Sequence, residues 1–107
     1  MKNSQLLKGV LEGCVLLLIE KREMYGYEIV QEMRTLGFTD IVAGTIYPLL
    51  QKLEKNTSLE SYKKPSDDGP DRKYYKITDI GRHNILKFKN DWQTLGNIVN
   101  TFIHLEE

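Results

Sequence analysis

The side chains best suited to chemistry in this chain are hydrogen-bonding groups along one face of a predicted helix. They are Thr45, Tyr47, Gln51 and Lys52. Their hydroxyl, amide and ammonium groups are of the kinds that contact base edges and phosphate oxygens. The N-terminus of the same helix would present outward N–H groups and a partial positive charge, which favour phosphate. The segment therefore predicts a surface for nucleic acid.

A second group of candidate contacts consists of basic side chains that flank a turn-rich segment. They are Lys63, Lys64, Arg72 and Lys73. Between them, the segment Pro65–Pro70 is dense in turn-forming residues, so we expect a projecting loop rather than a tight two-residue turn. Asp67, Asp68 and Asp71 at its tip would repel phosphate. We expect the flanks to contact DNA and the tip to stay away from it.

Composition limits this interpretation without excluding it. The chain has 107 residues and zero formal net charge, whereas a domain that binds DNA usually carries a basic patch. Between Lys52 and Lys89 the basic residues outnumber the acidic ones, and a local patch attracts phosphate even on a neutral chain. A single cysteine, Cys14, excludes an internal disulfide and fits a reducing cytoplasm. The apolar run Cys14–Ile19 is too short to span a membrane.

Apolar periodicity predicts three helices before the basic segment. We expect them over Ser4–Lys21, over Gly26–Leu36 and from about Gly44 onward. Gly37 suits a left-handed cap at the end of the second helix. Pro48 is expected in the first turn of the third helix, where its missing N–H has no intrahelical partner. The apolar stripe of that third helix is Ile46, Leu49, Leu50 and Leu53.

A hairpin and a long final helix complete the pattern. Leu59–Lys64 and Arg72–Ile77 carry the β-branched and aromatic residues that strands prefer. Thr78 is a suitable N-cap for a helix over Asp79–Leu105. The order helix, helix, helix, hairpin is that of a winged helix-turn-helix, which places its third helix in the major groove. We therefore predict a mostly α fold with a small β-hairpin (α+β), with a DNA-binding domain over residues 1–78 and a dimerisation helix over residues 79–107.

The final helix carries the sharpest periodic signal in the chain. Its apolar residues are Ile85, Phe88, Trp92, Leu95, Val99 and Phe102. Their alternating spacing of three and four is that of heptad positions that face a partner helix. The helix would be roughly 40 Å long, whereas a core built from the preceding residues would be about 25 Å across. The helix should overhang its own domain and be covered by a second copy of the chain.

Three motifs in this order resemble the PadR family of transcriptional regulators. They are YGYEI over Tyr25–Ile29, GTIYPLLQKLE over Gly44–Glu54, and GPDRKYYKIT over Gly69–Thr78, followed by DIG over Asp79–Gly81. The short length and single long final helix resemble the subfamily that dimerises through that helix. The resemblance implies a cytoplasmic homodimer, usually a repressor, on an inverted-repeat operator in double-stranded DNA.

The family's DNA contacts can be carried over residue by residue. The resemblance implies that Tyr27 touches phosphate at the start of the second helix. It implies that Gly44, Thr45, Tyr47 and Pro48 present the third helix to the groove, and that Arg72 and Lys73 hold the wing. This chain departs from the family just after the third helix, where relatives place a glycine and then an aliphatic residue. Asn56, Thr57 and Ser58 stand there instead, and we expect Asn56 to take the left-handed conformation.

Trp92 allows two interpretations. It is either a large apolar filler of the dimer seam or a stacking surface for a planar aromatic effector, as a tryptophan on the final helix is in some relatives. A tryptophan face is flat and polarizable, which suits such a ligand. Phe88, Leu95 and Val99 would share the pocket.

The spacing of residues indicates neither catalysis nor a cofactor or metal site, so we do not expect an enzyme. Two other functional classes stay open. The chain could be a small-molecule sensing protein whose winged helix has weak or lost DNA binding, since its net charge is zero and its loop tip is acidic. It could also be a protein–protein adaptor that uses the winged helix as a docking surface.

Overall fold

The residues that the structure describes form four α-helices and a three-stranded antiparallel sheet, which confirms the predicted α+β class. The computed structural model describes residues 5–7 and 9–106. After a 3₁₀ turn at Gln5–Leu7, the elements are α1 (Val10–Lys21), β1 (Met24–Tyr25), α2 (Gly26–Thr35), α3 (Ala43–Lys55), β2 (Leu59–Ser66), β3 (Gly69–Ile77) and α4 (Asp79–Ile103). The predicted N-cap of the first helix, Ser4, lies outside the described residues. Gly9 stands before α1 at φ 80°, so the 3₁₀ turn and α1 are two elements and not one helix.

One core holds the first three helices against the sheet. Its members are all apolar apart from the Tyr75 hydroxyl group: Leu11, Val15, Leu16, Ile19, Met24, Ile29, Val30, Met33, Ile41, Ile46, Leu50, Leu53, Leu59, Tyr75 and Ile85. The helical spacing of Ile46, Leu50 and Leu53 turns one face of α3 into this core and leaves the opposite face exposed. No helix within the described residues combines the length and the apolar character that crossing a membrane requires.

The sheet contains one strand that the sequence pattern did not predict. The strand order is β1-β3-β2, with Met24 opposite Tyr75 and Tyr25 opposite Tyr74. β1 has only two residues, too few to show the alternation that identifies a strand. This pairing places the start of α2 beside the hairpin.

The hairpin turn is tighter than predicted. Ser66 pairs with Gly69, so only Asp67 and Asp68 connect the strands, and the predicted projecting loop over Pro65–Pro70 is wrong. The register shifts between Lys64 and Ser66, where the β3 segment is one residue longer than its partner. Prolines on both strands lack the N–H that a regular ladder needs, and a bulge absorbs the extra residue. Pairing can therefore continue to the tip.

The helices α2 and α3 each end in a Schellman motif. After α2, Phe38 N–H donates to the Met33 carbonyl at 3.0 Å and Gly37 N–H to that of Arg34 at 3.2 Å. Gly37 has φ 138°, which agrees with its predicted role as a cap. Positive φ is available to glycine at little steric cost.

At the end of α3 the left-handed residue is Thr57, not Asn56 as predicted. Thr57 has φ 65° and Asn56 has φ −86°. The Ser58 N–H donates both to the Leu53 carbonyl at 2.9 Å and to Asn56 Oδ1 at 3.0 Å. Asn56 is the C-cap of α3, so Thr57 occupies the next position, C′, where this motif requires the left-handed conformation.

Pro48 is also placed differently from the prediction. α3 begins at Ala43, so Pro48 is its sixth residue and not part of the first turn. A proline there removes the intrahelical hydrogen bond to the carbonyl of Gly44. Gly44 is exposed, so solvent can reach that end of the helix.

α4 is anchored at its base and unsupported along its outer half. Gly81 N–H donates to Thr78 Oγ1 at 2.9 Å, which confirms the predicted N-cap, and the Thr78 hydroxyl lies 2.6 Å from the Thr57 carbonyl. The buried residues of α4 are Gly81 and Ile85, both in its first two turns. The helix ends at Ile103, two residues before the predicted end. The molecule is 58 Å long but only 29 by 20 Å in its other dimensions.

Candidate nucleic-acid interface

α2, α3 and β3 meet at a cleft that collects several of the predicted contacts. The cleft has a volume of about 250 Å³, and its lining includes Tyr27, Tyr47, Arg72 and Lys73. Gly26 lies so close to Tyr47 that a Cβ atom there would come within 3.0 Å of the tyrosine ring. The missing side chain at Gly26 therefore allows the Tyr47 ring to lie across the start of α2 while its other side stays exposed.

The face of α3 opposite the core forms a continuous exposed strip. Gly44, Pro48 and Gln51 follow one another at helical spacing, and Thr45 lies beside them. Lys55 continues the strip one turn further and is also exposed. Sequence reasoning missed Lys55, although it stands seven residues after Pro48 and so shares its face. This strip is long enough to lie along a groove.

Lys52 is less free than its sequence position suggested. Its ammonium group lies 2.5 Å from Glu12 Oε1 of α1. The pair places Lys52 on the α1 side of α3, away from the cleft that contains Tyr47. Its charge is offset by a neighbour in the same chain.

Lys73 also has a partner within the chain. Its ammonium group lies 2.9 Å from Glu54 Oε1, and the Glu54 carboxylate also accepts a hydrogen bond from the Ser61 hydroxyl. The hydrogen bonds from Ser61 and Lys73 hold the pKa of Glu54 below its ordinary value. The hydrogen bond to Glu54 raises the pKa of Lys73. Both groups are therefore charged at neutral pH.

The outer face of the hairpin combines aromatic rings with cations. The Tyr74 ring stacks with that of Tyr62 at 5.7 Å and meets that of Tyr25 edge-on at 5.4 Å. The Arg72 guanidinium lies 4.6 Å from the Tyr25 ring and Lys64 Nζ lies 5.2 Å from the Tyr74 ring. These cation–π contacts hold two of the predicted DNA contacts in place.

Like charges face each other across the two long strands. Lys63 pairs in register with Lys73, and Lys64 with Arg72. Directly opposed like charges destabilise a sheet. Glu54 offsets the charge of Lys73, whereas an anion bound beside Lys64 and Arg72 would relieve the repulsion between them, so the outer face of the wing is suited electrostatically to phosphate.

The predicted heptad residues of α4 divide into two groups. Ile85 is only 1% exposed and belongs to the core of its own chain, so its assignment to the exposed dimer seam is corrected. Phe88 is half-buried, and its ring fills the space at Gly13, where a Cβ atom would lie 2.5 Å from it. Trp92, Leu95, Val99 and Phe102 are 45–66% exposed. The outer half of the seam is therefore the part that has no cover within the described residues.

A hollow lies beside this outer half. It has a volume of about 710 Å³, and Phe88, Trp92, Leu95 and Val99 line it together with Leu17 of α1. All four residues that were predicted to share a ligand pocket are thus brought together. The space is open on one side in the single chain.

The arrangement of an exposed third helix beside a basic two-stranded wing defines a winged helix-turn-helix DNA-binding protein. Residues 15–87 match the model of the transcriptional regulator PadR-like family. The chain belongs to this family. It is therefore a DNA-binding transcriptional regulator, as the sequence motifs indicated.

Solved structures agree with this assignment over nearly the whole chain. A crystal structure of a Streptococcus transcriptional regulator is 51% identical with a TM-score of 0.86, and the match covers 95% of this chain and 100% of that one. A crystal structure of a PadR-like transcriptional regulator from Bacillus cereus is 44% identical with a TM-score of 0.84, covering 94% and 98%. A relative from Lysinibacillus sphaericus, described as an uncharacterized protein, is 35% identical over 105 residues and 96% of each chain.

Proposed function

We propose that the chain is a homodimeric repressor without catalytic activity that binds an inverted-repeat operator in the cytoplasm. The observation that carries this proposal is the uncovered apolar face of α4, with Trp92, Leu95, Val99 and Phe102 all exposed. Contiguous apolar surface of this kind marks an interaction site on a soluble protein. A twin helix with the same seam is a matching partner.

Pairing of two α4 helices would give a two-fold dimer, and the operator that it binds has the matching symmetry. A two-fold dimer presents two copies of α3, so its half-sites are arranged as an inverted repeat. If the two copies of α3 enter successive major grooves, the half-sites lie roughly 34 Å apart. The base of α4 is tied to the end of α3 through Thr78 and Thr57, so the dimer angle sets the distance between the reading helices.

We assign the DNA contacts to three groups of side chains. On α2 and α3 they are Tyr27, Gly44, Thr45, Tyr47, Pro48 and Gln51, and on the wing they are Lys63, Lys64 and Arg72, all exposed or half-buried. Lys52 and Lys73 add positive charge near the surface, but each has an acidic partner. Lys55 extends the strip on α3 and adds one further phosphate contact.

An effector would act on the same dimer. We propose that a planar aromatic molecule binds beside Trp92 and changes the angle between the two α4 helices. Phe88 lines the hollow and packs on Gly13 of α1, so a ligand there contacts a side chain that also touches the DNA-binding domain. The ligand regulates DNA affinity only to the extent that it favours one arrangement over the other.

Gel shifts with DNA from upstream of the gene, together with sedimentation, test the proposal. We expect a dimer that binds a specific duplex with strong dependence on salt. Gln51→Ala should weaken specific binding. Thr94→Ala, on an exposed position of α4 that is not assigned to DNA, should leave it unchanged. A stable monomer, or no sequence-dependent binding at micromolar concentration, would contradict the proposal.

A second candidate is a ligand-sensing protein with weak DNA binding. Asp67 and Asp68 form the entire tip of the wing, and carboxylates at the tip repel the backbone that a wing normally approaches. Fluorescence titration of Trp92 with planar cationic and phenolic compounds separates the two candidates. Tight quenching without operator binding would favour the sensing protein.

A further inference from the structure

Glu54 connects α3 with both long strands of the wing. It lies in the last turns of α3, where its carboxylate accepts a hydrogen bond from the Ser61 hydroxyl of β2 and lies 2.9 Å from Lys73 Nζ of β3. A single side chain of α3, the helix proposed to enter the DNA groove, thus contacts two separate strands. Such a link can set the position of the wing relative to the helix.

The contacts of Lys73 lie on the inner side of the hairpin. Its ammonium group is 5.5 Å from the ring of Tyr75, which is buried in the core. Arg72 and Lys64 belong to the alternate residues and contact the tyrosines of the outer face. Lys63, the register partner of Lys73, shares this inner face, and Lys73 is the cation there that pairs with Glu54 of α3. The side chain of Lys73 is 45% exposed and that of Glu54 is 32% exposed. The ion pair is therefore accessible to solvent, although it lies on the inner side of the hairpin.

We propose that Glu54 is a positioning residue that holds the wing against α3, and that Lys73 acts through Glu54 and not by contact with phosphate. This inference rests on the proposed DNA interface. It removes Lys73 from the phosphate contacts that the family resemblance implied. The wing then reaches DNA through Lys63, Lys64 and Arg72.

The alternative role of Lys73 predicts an effect of opposite sign. If Lys73 binds phosphate, Glu54 competes with the DNA for the same ammonium group. Removal of the Glu54 charge would then free Lys73 and also remove a repulsion, so the affinity would rise. If Glu54 positions the wing, removal of its charge releases the wing. The affinity for DNA then falls in proportion to the fraction of molecules whose wing remains in the binding position.

The first experiment compares Glu54→Gln with Glu60→Gln. Glu60 is a matched control because its carboxylate, like that of Glu54, pairs with a β3 lysine, Lys76, at 3.2 Å. Glu60 itself lies on β2, and within the described residues it makes no hydrogen bond or ion pair with α3. We expect Glu54→Gln to weaken binding to a duplex selected by the wild-type protein by about 1.5- to fivefold, the range of a partly exposed ion pair. Glu60→Gln should leave it unchanged or slightly tighter. Tighter binding by Glu54→Gln would overturn the inference.

Salt dependence separates positioning from phosphate contact at Lys73 itself. Loss of one phosphate contact lowers the slope of log affinity against log salt by about 0.9 per protomer. We expect that change in Lys64→Gln, and we expect the wild-type slope in Lys73→Gln with a reduced affinity. Glu54→Gln combined with Lys73→Gln should bind no worse than either single variant, since both break the same pair. A reduced slope in Lys73→Gln would overturn the inference.

A measurement without DNA tests the link independently of the proposed function. Amide hydrogen exchange in β2 and β3 should be faster in Glu54→Gln than in Glu60→Gln and wild type, because the wing opens more often. Equal exchange in all three proteins would overturn the inference. If the wild-type protein binds no specific duplex, the proposed function fails, and this measurement still decides whether Glu54 holds the wing.

Discussion

Replacement of Thr57 by glycine should make the protein more stable. Thr57 has φ 65°, a left-handed conformation that costs an L-residue with a Cβ atom about 1–2 kcal/mol. Glycine removes this cost, but it also destabilises the folded state by roughly 0.5–1 kcal/mol, because glycine loses more conformational entropy on folding. The lost hydrogen bond from the Thr57 hydroxyl to the adjacent Asn56 carbonyl is exposed and local. We therefore expect a net gain in the free energy of unfolding of about 0.5–1 kcal/mol.

Thermal unfolding at one fixed protein concentration provides the measurement, because the proposed dimerisation would make the midpoint concentration-dependent. The expected gain corresponds to a rise in Tm of about 2–4 °C. Asn56→Gly is the matched control. Asn56 has φ −86° and its Oδ1 accepts the Ser58 N–H at 3.0 Å, so glycine there should lower Tm. Stabilisation by Asn56→Gly, with no gain from Thr57→Gly, would refute the assignment of Thr57 as the left-handed residue.

Three further predictions concern packing, assembly and pH. Gly81→Ala should destabilise the protein by about 2 kcal/mol or more, because the new Cβ atom overlaps the Ser58 carbonyl oxygen. The control is Gly44→Ala, whose new Cβ atom meets no atom within 4 Å. Chemical denaturation of Gly44→Ala should show no loss of stability, while gel shifts should show weaker DNA binding. Phe102→Asp should give monomers in sedimentation, since Phe102 is 66% exposed on the proposed seam; a persistent dimer would place the interface elsewhere. The folded state lowers the pKa of Glu54, so its stabilising effect is present above the ordinary glutamate pKa and disappears as pH falls through the lowered value. The stability of wild type relative to Glu54→Gln should therefore decrease between neutral and strongly acidic pH, and an unchanged difference would count against the ion pair.

Local sequence patterns were sufficient to predict the role of a residue where that role depends on its near neighbours in the chain. The apolar spacing of Ile46, Leu50 and Leu53 identified the buried face of α3, and the same spacing placed the opposite strip in solvent. Gly37 and Thr78 were identified as caps from residue type alone, because helix ends need a backbone or side-chain partner close in sequence. These interactions span only a few residues.

Contacts between distant segments could not be predicted in this way. Nothing near Lys52 or Lys73 in the sequence indicates that each meets an acidic residue on another element. The two residues of β1 form a strand only because β3 lies beside them. Ile85 fits a heptad as well as Trp92 does, yet it is buried by α4 packing on the preceding domain.

The order of amino acids was enough to establish the winged helix, its family and the apolar ridge along α4, because each depends on periodicity or on motifs of a few residues. Which cations stay available to DNA, where the ridge leaves the core and which residue reverses the chain after α3 depended on the folded arrangement. Those features depend on distances between segments far apart in the chain, and such distances are established only when the helices pack against the sheet.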